Sequence, residues 1–319
     1  SIGSELGRQT CRFHPDALAL LEVSEENLFN IEMECRQSYG FVSLSSYLAD
    51  IKNRSNLDRV LEDFCPDVIF HAAAYKHVPL QELNPWEAIL NNVLGTRNLI
   101  ESASNNKVDR FVLISTDKAV RPTNVMGATK RVAEILVQCM NGRSQMSSMA
   151  VRFGNVLWSS GSALSLFQKQ IAKGGPVTVT HPEIMRYFMS IPEAVQLVLQ
   201  AGSMSAGGEI FILDMGQPIR IVDLANDLIR LNGYEPDRDI SIQFTGLRPG
   251  EKLYEELITE GEGIVTTEHD KILVLKGEMC DQNVLRDKVD ELISLAGTYD
   301  AVAIKKKLQE IVPEYTPQR

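Results

Sequence analysis

The chain is short of positive charge, poor in aromatic residues, and without closely spaced cysteines or a long apolar run. Its 32 Lys and Arg are outnumbered by 42 Asp and Glu, and the resulting net charge of −10 opposes a nucleic-acid backbone or an anionic membrane surface. No nucleic-acid partner is expected. Cysteines at 11, 35, 65, 139 and 280 form no short-spaced pair, which argues against zinc and for reduced thiols in a cytosolic compartment. The five histidines are scattered, so His71 and His77 read as core or loop residues and no metal is expected. No stretch approaches the roughly 18 to 20 apolar residues of a membrane helix, so this segment is not expected to touch a membrane. A composition of 44% hydrophobic and 23% charged residues over 319 positions is that of a soluble globular protein with two domains, or one large α/β domain with an added lobe.

Short β-rich runs at Leu18 to Leu21, Val68 to Phe70, Phe111 to Ile114 and Ala150 to Phe153 alternate with stretches of helical period. One helix is predicted to open with Asn84 as N-cap and Pro85 at its first position, carrying Ile89, Val93, Leu99 and Ile100 inward. Another runs from Val125 to Met140 with Val132, Leu136 and Met140 in register. Strand and helix in alternation predict a Rossmann-like doubly wound parallel sheet. After Phe153 the chain becomes Gly- and Pro-punctuated, as at Lys173 to Pro176 and Arg248 to Gly250, which suits a smaller substrate-binding lobe. From Asp281 on, Leu285/Val289/Leu292 and Val302/Leu308/Ile311 predict two packing helices.

Ser1-Ile2-Gly3 enters a helix with no strand before it, and Glu22 ends the next strand 19 residues after Gly3. This is the second half of a dinucleotide fingerprint: helix amides for the pyrophosphate and an acid for the ribose diol. An ordinary helix start and a strand-end Glu account for the same residues. On the fingerprint reading, the first strand and first glycines lie upstream. A carboxylate at Glu22 favours the free 2′-hydroxyl of NAD over the 2′-phosphate of NADP. Asp50 and Ile51 are candidates to meet the adenine, with a solvated turn as the alternative for Asp50. Ala72, Ala73 and Ala74 permit close backbone approach to a flat ligand, or fill a cramped turn. Ser115-Thr116-Asp117-Lys118 ends a strand opposite a helix with Met126 and Lys130 on one face, a site geometry unless the turn is merely solvated.

Taken in order, Ser1-Ile2-Gly3-Ser4-Glu5, His71 to His77, Ser115 to Lys118, Arg152 to Val156, Gly174 to Pro182, Arg186 to Met189 and Leu247 to Lys252 resemble the extended short-chain dehydrogenase/reductase family. Within it the chain is similar to nucleotide-sugar 4,6-dehydratases of bacterial capsule and glycan biosynthesis. The family places Tyr four residues before the helical Lys. Met126 stands there instead, as in the subgroup acting on UDP-N-acetylglucosamine with retention at carbon 5. The resemblance implies an NAD-binding domain over residues 1–153, a mainly substrate-binding lobe over 154–280 with segments returning to the first domain, and a helical appendage over 281–319. It also implies a homo-oligomer in the cytoplasm, or the cytoplasmic domain of a membrane-anchored parent.

The resemblance assigns the carbon 5 proton to Lys118 and the departing carbon 6 hydroxyl to Asp117. Thr116 becomes the candidate for the carbon 4 hydroxyl, and Lys130 the group holding the ribose, beside Ser115. To act near neutrality, Lys118 must fall from about 10.4 and Asp117 must rise from about 3.9, and their mutual attraction opposes both changes. Lys76, His77, Asn155, Val177, Thr178, Arg186, Arg248 and Glu251 are expected around the UDP-sugar, with Arg152 a further candidate for the diphosphate. An epimerase of the same fold and a nucleotide-sensing protein that has lost catalysis are the alternatives.

Overall fold

The computed structural model describes residues 1–40, 43–140, 145–258, 263–275 and 281–317. Four parallel strands, Val68–His71, Arg110–Ile114, Ser147–Arg152 and Ile210–Leu213, lie side by side in that order. Their residues are almost continuously apolar, as expected for a sheet covered on both faces. Beyond Ile210–Leu213 the sheet turns antiparallel through Ile272–Leu275 and Ile264–Thr266, so the sheet is mixed rather than wholly parallel. The strands Leu18–Glu22 and Leu44–Leu48 form a separate parallel pair. Among the described residues no ladder joins Leu18–Glu22 to Val68–His71, and both strands line one cavity.

Four helices and a π-helix matter for the site. Ile2–Arg12 begins at the cavity, while Val125–Met140, with the bounds its period predicts, is buried on nearly all sides. Ala133 and Val137 pack on the sheet with Phe111, Leu113 and Ala150. The opposite face, Val125, Ala128, Val132 and Leu136, meets the C-terminal helices Gln282–Ala296 and Ala301–Ile311 through Leu292, Ile304 and Leu308. Val302 points to solvent, and Ile304 takes the inward place that the sequence pattern assigned to it.

The single helix expected after Asn84 is three pieces: Pro85–Ala88, a π-helical stretch Ile89–Gly95 and Thr96–Asn105. Asn84 does not cap it through its side chain, whose Nδ2 donates to the Leu80 carbonyl at 2.9 Å. Gly95 is required where it lies, since a Cβ there would come within 2.6 Å of Ile51 Cδ1. A second lobe is built from the helices Ala163–Ile171 and Ile221–Leu231 and the parallel strands Val177–Val179 and Ile242–Phe244, around a core of its own. Cys11, Cys35 and Cys65 are free thiols, whereas Cys139 is disulfide-bonded, a departure from the expectation of five reduced cysteines. Cys280 lies outside the described residues.

His71 is a core residue, as its sequence context suggested, with Nε2 2.8 Å from Thr96 Oγ1. Burial, aided by Lys130, pushes it from 6.5 down to about 3. The unfolded chain therefore binds a proton below pH 6.5 that the folded chain refuses, and stability falls as the pH drops from 6.5 toward 3. Chemical denaturation should show His71→Gln losing about 2 kcal/mol less than the parent between pH 8 and pH 5; equal losses would contradict this. In the same melts Leu292→Ala, at a fully buried site, should cost about 2 to 5 kcal/mol; a cost below about 1 kcal/mol would show that the C-terminal helices do not support the fold.

Candidate active site

Past Ile114 the strand backbone stays anchored to its neighbour: Ser115 N donates to Val151 O at 2.7 Å and Asp117 N to Phe153 O at 3.1 Å. Thr116 then caps a single 3₁₀ turn, Asp117–Ala119. Its hydroxyl donates to Asp117 Oδ1 at 2.8 Å and accepts from the Lys118 amide at 3.4 Å. Lys118 Nζ donates to Asp117 Oδ1 at 2.9 Å and to Asn155 Oδ1 at 3.2 Å. Asp117 is fully buried, and its Oδ2 has no hydrogen-bond partner among the described residues. Gly154 keeps that oxygen clear, because a Cβ there would sit 3.2 Å from it.

The helix opposite is held end-on. Asn124 Oδ1 accepts from the Gly127 amide at 2.7 Å, and Glu82 Oε1 accepts from the Val125 amide at 2.6 Å. Lys305, from the C-terminal helices, holds the other Glu82 oxygen at 2.6 Å. Gly127 lets this helix press directly on the Thr116–Lys118 turn, since a Cβ at that position would lie 2.1 Å from the Lys118 carbonyl oxygen. Met126 and Lys130 thereby reach the cavity wall together with Thr116 and Lys118. Burial lowers Lys130 to about 8 against the opposing pull of Glu134.

Asn92, exposed to this helix by the π-helical stretch, accepts from Tyr75 N at 2.8 Å and donates to Tyr75 O at 3.0 Å and to Thr129 Oγ1 at 3.1 Å. Asn91 donates to Ala73 O at 3.3 Å. These two residues tie the Ala72–Tyr75 loop to the site helix. Sequence reading did not single them out, because an inserted π turn redirects residues that a regular helical period would place elsewhere.

At Lys118 burial disfavours the ammonium, but Asp117 and Glu255 outweigh burial and hold the lysine above its ordinary value. The structure therefore reverses the expected outcome of that contest. Arg152 is also corrected. Its guanidinium lies in the core, bound through Nε and Nη2 to Glu134 at 2.8 Å each, while Ser115 Oγ donates to the same carboxylate at 2.6 Å. It braces the sheet against the site helix rather than reaching a diphosphate.

A cavity of about 1940 Å³ runs from this turn to the start of the first helix and on between Leu18–Glu22 and Val68–His71. Ser1, Ile2, Gly3, Glu22, Ile51, Ala72, Ala73, Ala74 and Ser115 line it. Glu22 Oε1 accepts from Val23 N at 3.1 Å and Ser24 N at 3.0 Å, which fixes the carboxylate at the strand end. A helix N-terminus, a fixed acid and a run of alanines on one wall suit a dinucleotide. Asp50 is not among the lining residues; its Oδ1 accepts from Lys52 N at 2.8 Å, the turn role left open above.

Lys76, His77, Asn155, Arg186, Arg248 and Glu251 line the same cavity. Val177 and Thr178 do not. Val177 packs in the second lobe's core, and Thr178 is bonded to Gln170, because their strand turns these side chains into the lobe. Arg186 spends its guanidinium on the carbonyls of Met185, Leu253 and Lys252, at 2.6, 3.2 and 2.8 Å. Among the described residues no cluster of His, Cys, Asp and Glu could hold a metal ion, and no helix is long and apolar enough to cross a membrane.

The doubly wound sheet, the Thr116–Lys118 turn and the helix carrying Lys130 define the class: an extended short-chain dehydrogenase/reductase fold. The chain belongs to the polysaccharide biosynthesis protein family, which matches residues 1–277. It is 55% identical over 264 residues to the capsular polysaccharide biosynthesis protein CapD of Staphylococcus aureus, covering 82% of this chain and 44% of CapD, so it spans less than half of that relative. The X-ray structure of Pen from Bacillus thuringiensis superposes with a TM-score of 0.80 at 34% identity, covering 88% of this chain and 87% of Pen. DesIV, the dTDP-glucose 4,6-dehydratase of Streptomyces venezuelae solved with NAD, shares the fold with a TM-score of 0.67 at 18% identity, over 90% of this chain and 87% of that one.

Gly127→Ala must push the helix and the turn apart. Turnover should fall at least about tenfold, with a stability loss of about 1 to 3 kcal/mol from overpacking. Unchanged kinetics and melting would show that the close contact is dispensable.

Proposed function

We propose that this chain is a nucleotide-sugar 4,6-dehydratase that acts on UDP-N-acetylglucosamine with NAD in bacterial polysaccharide biosynthesis. The observation that carries this reading is Lys118, which lines the cavity with Met126 and Lys130 and is paired at 2.9 Å with the fully buried Asp117 behind it. A bound nicotinamide ring would supply the hydride acceptor for sugar carbon 4 and the donor for carbon 6. The amides at the start of Ile2–Arg12 would hold the pyrophosphate, Glu22 the adenosine ribose, and Lys130 the nicotinamide ribose. Glu22 places a carboxylate where NADP carries its 2′-phosphate, which favours NAD.

A ketone at carbon 4 acidifies the carbon 5 proton. Lys118 Nζ takes that proton, and Asp117 then gives its own to the carbon 6 oxygen, which leaves as water. In the resting site the shared proton lies on Lys118. Transfer along the 2.9 Å contact gives the neutral amine and neutral acid that elimination needs. A sugar nucleotide that drives water from the cavity favours this uncharged pair, because desolvation penalises both ions. Met126 has no exchangeable proton, so the Thr116 hydroxyl relays the carbon 4 hydroxyl proton to a water it positions and on to solvent, and one solvent proton restores the Asp117–Lys118 pair after carbon 5 is reprotonated. Arg248 and Lys76 supply cationic groups for the diphosphate, and Asn155 and Glu251 polar contacts to the nucleotide sugar.

Mass spectrometry of UDP-N-acetylglucosamine incubated with the chain and NAD should show loss of one water. A mass-conserving isomer would make the chain an epimerase, and an untouched substrate a sensor. Lys118→Met and Asp117→Asn should each reduce dehydration at least about 100-fold while fluorescence titration shows NAD still bound; near-parental turnover in both would remove the assignment. Met126→Tyr is not needed for turnover, and activity confined to that variant would contradict the mechanism.

A further inference from the structure

Glu255 is a buried carboxylate whose Oε2 has no hydrogen-bond partner among the described residues. Its side chain is 3% exposed. Oε1 lies 4.0 Å from Lys118 Nζ and 3.8 Å from Arg186 Nη2, in ion-pair range of both but hydrogen-bonded to neither. Buried polar groups are rarely left in this state, and a buried charge without close partners is costly. The surroundings are nevertheless built to bring it there. Arg186 holds the Lys252 and Leu253 carbonyls, and Lys252 Nζ donates to the Val120 carbonyl at 3.1 Å, just beyond the catalytic turn. Glu255 thus arrives at Lys118 on a backbone pinned from both sides.

Resting on the dehydratase reading, we propose that Glu255 is a positioning residue of this site: the fixed counter-charge for the ammonium that Lys118 becomes on taking the sugar proton. The ammonium and the enolate formed at carbon 4 balance overall, but the ammonium forms beside the Arg186 guanidinium. In the elimination the carbon 5 to hydrogen bond breaks, its electron pair passes toward the carbon 4 ketone, and the proton forms the third N–H of Lys118. Until Asp117 releases its proton to the carbon 6 oxygen, Asp117 is neutral and cannot balance that ammonium. Arg186 is a second cation close by. Without Glu255, two like charges would face each other in a water-poor site, whereas with it one of them is compensated throughout.

The charged groups that face Lys118 are Asp117, Glu255, Arg186 and Lys76; those that face Glu255 are Lys118, Asp117, Arg186 and Lys252, with Glu251 3.7 Å from Arg186. Burial raises the Glu255 carboxyl, Asp117 adds to the rise, and Lys118 and Arg186 oppose it. Glu255 in turn is one of the two anions that hold Lys118 in its charged form, against Arg186 and burial. Removing its charge leaves Arg186 unopposed at the lysine.

The test is the titration of Lys118 in the intact chain without substrate, followed by lysine-selective ¹³C NMR and assigned with Lys118→Met. In Glu255→Gln the lysine should titrate about one pH unit lower than in the parent, and Glu255→Asp should recover most of the difference. With UDP-N-acetylglucosamine, Glu255→Gln should move the alkaline limb of the kcat profile, where the Asp117–Lys118 pair loses its shared proton, down by the same amount, lower its plateau about tenfold, and leave KM within about threefold. An unshifted Lys118 in a folded Glu255→Gln chain overturns the proposal. So does a plateau that falls while the alkaline limb stays in place, the result of a merely structural role. If the parent releases no water from the substrate, the dehydratase reading fails by itself, and the NMR shift still decides whether Glu255 sets the charge of Lys118.

Discussion

The site depends on one close approach of two backbones. The Val125–Met140 helix meets the Thr116–Lys118 turn at the Lys118 carbonyl, where only a glycine fits. That contact sets where Met126 and Lys130 stand relative to Asp117 and Lys118, and much of the surrounding fold maintains it. Asn124 and Glu82 satisfy amides at the helix start, Asn92 ties the helix to the Ala72–Tyr75 loop, and Glu134 with Arg152 fixes it to the sheet. The C-terminal helices close the remaining face and hold Glu82 through Lys305. They therefore act as a buttress for the site helix, although they lie beyond the family's matched residues.

Within this frame, electrostatics rather than shape decides the chemistry. A buried lysine ordinarily loses its proton to desolvation, as Lys130 does in part, reaching about 8. Lys118 behaves in the opposite way because two carboxylates reach it. The difference separates two lysines on the same cavity wall. Burial brings Lys130 close to giving up its charge near neutrality. Lys118 keeps its proton in contact with Asp117, and in the proposed mechanism it changes state when a ligand displaces water.

Much of this was legible in the chain because it is local. The bounds of Val125–Met140 follow from its apolar period, and the strands follow from short β-rich runs. Asp117, Lys118 and Lys130 follow from motif spacing, since a strand end and one helix face bring them together. What stayed hidden is non-local. Glu255 meets Lys118 across more than a hundred residues, and Asn91 and Asn92 turn inward only because a π-helical stretch shifts the register. Arg152 read as a ligand for phosphate because its partner Glu134 sits on another element, and Val177 and Thr178 read as nucleotide contacts because their strand's orientation depends on its pairing with Ile242–Phe244.

The central claim is that a proton leaves carbon 5 of the sugar to Lys118 and is later replaced from the same exchangeable pool. Turnover of UDP-N-acetylglucosamine in deuterated water, read by NMR of the product, tests it most directly. One deuterium at carbon 5 of a 4-keto-6-deoxy sugar is the outcome this account requires. A 4-keto-6-deoxy product that retains its original hydrogen at carbon 5, or a product without the 4-keto group, would contradict it.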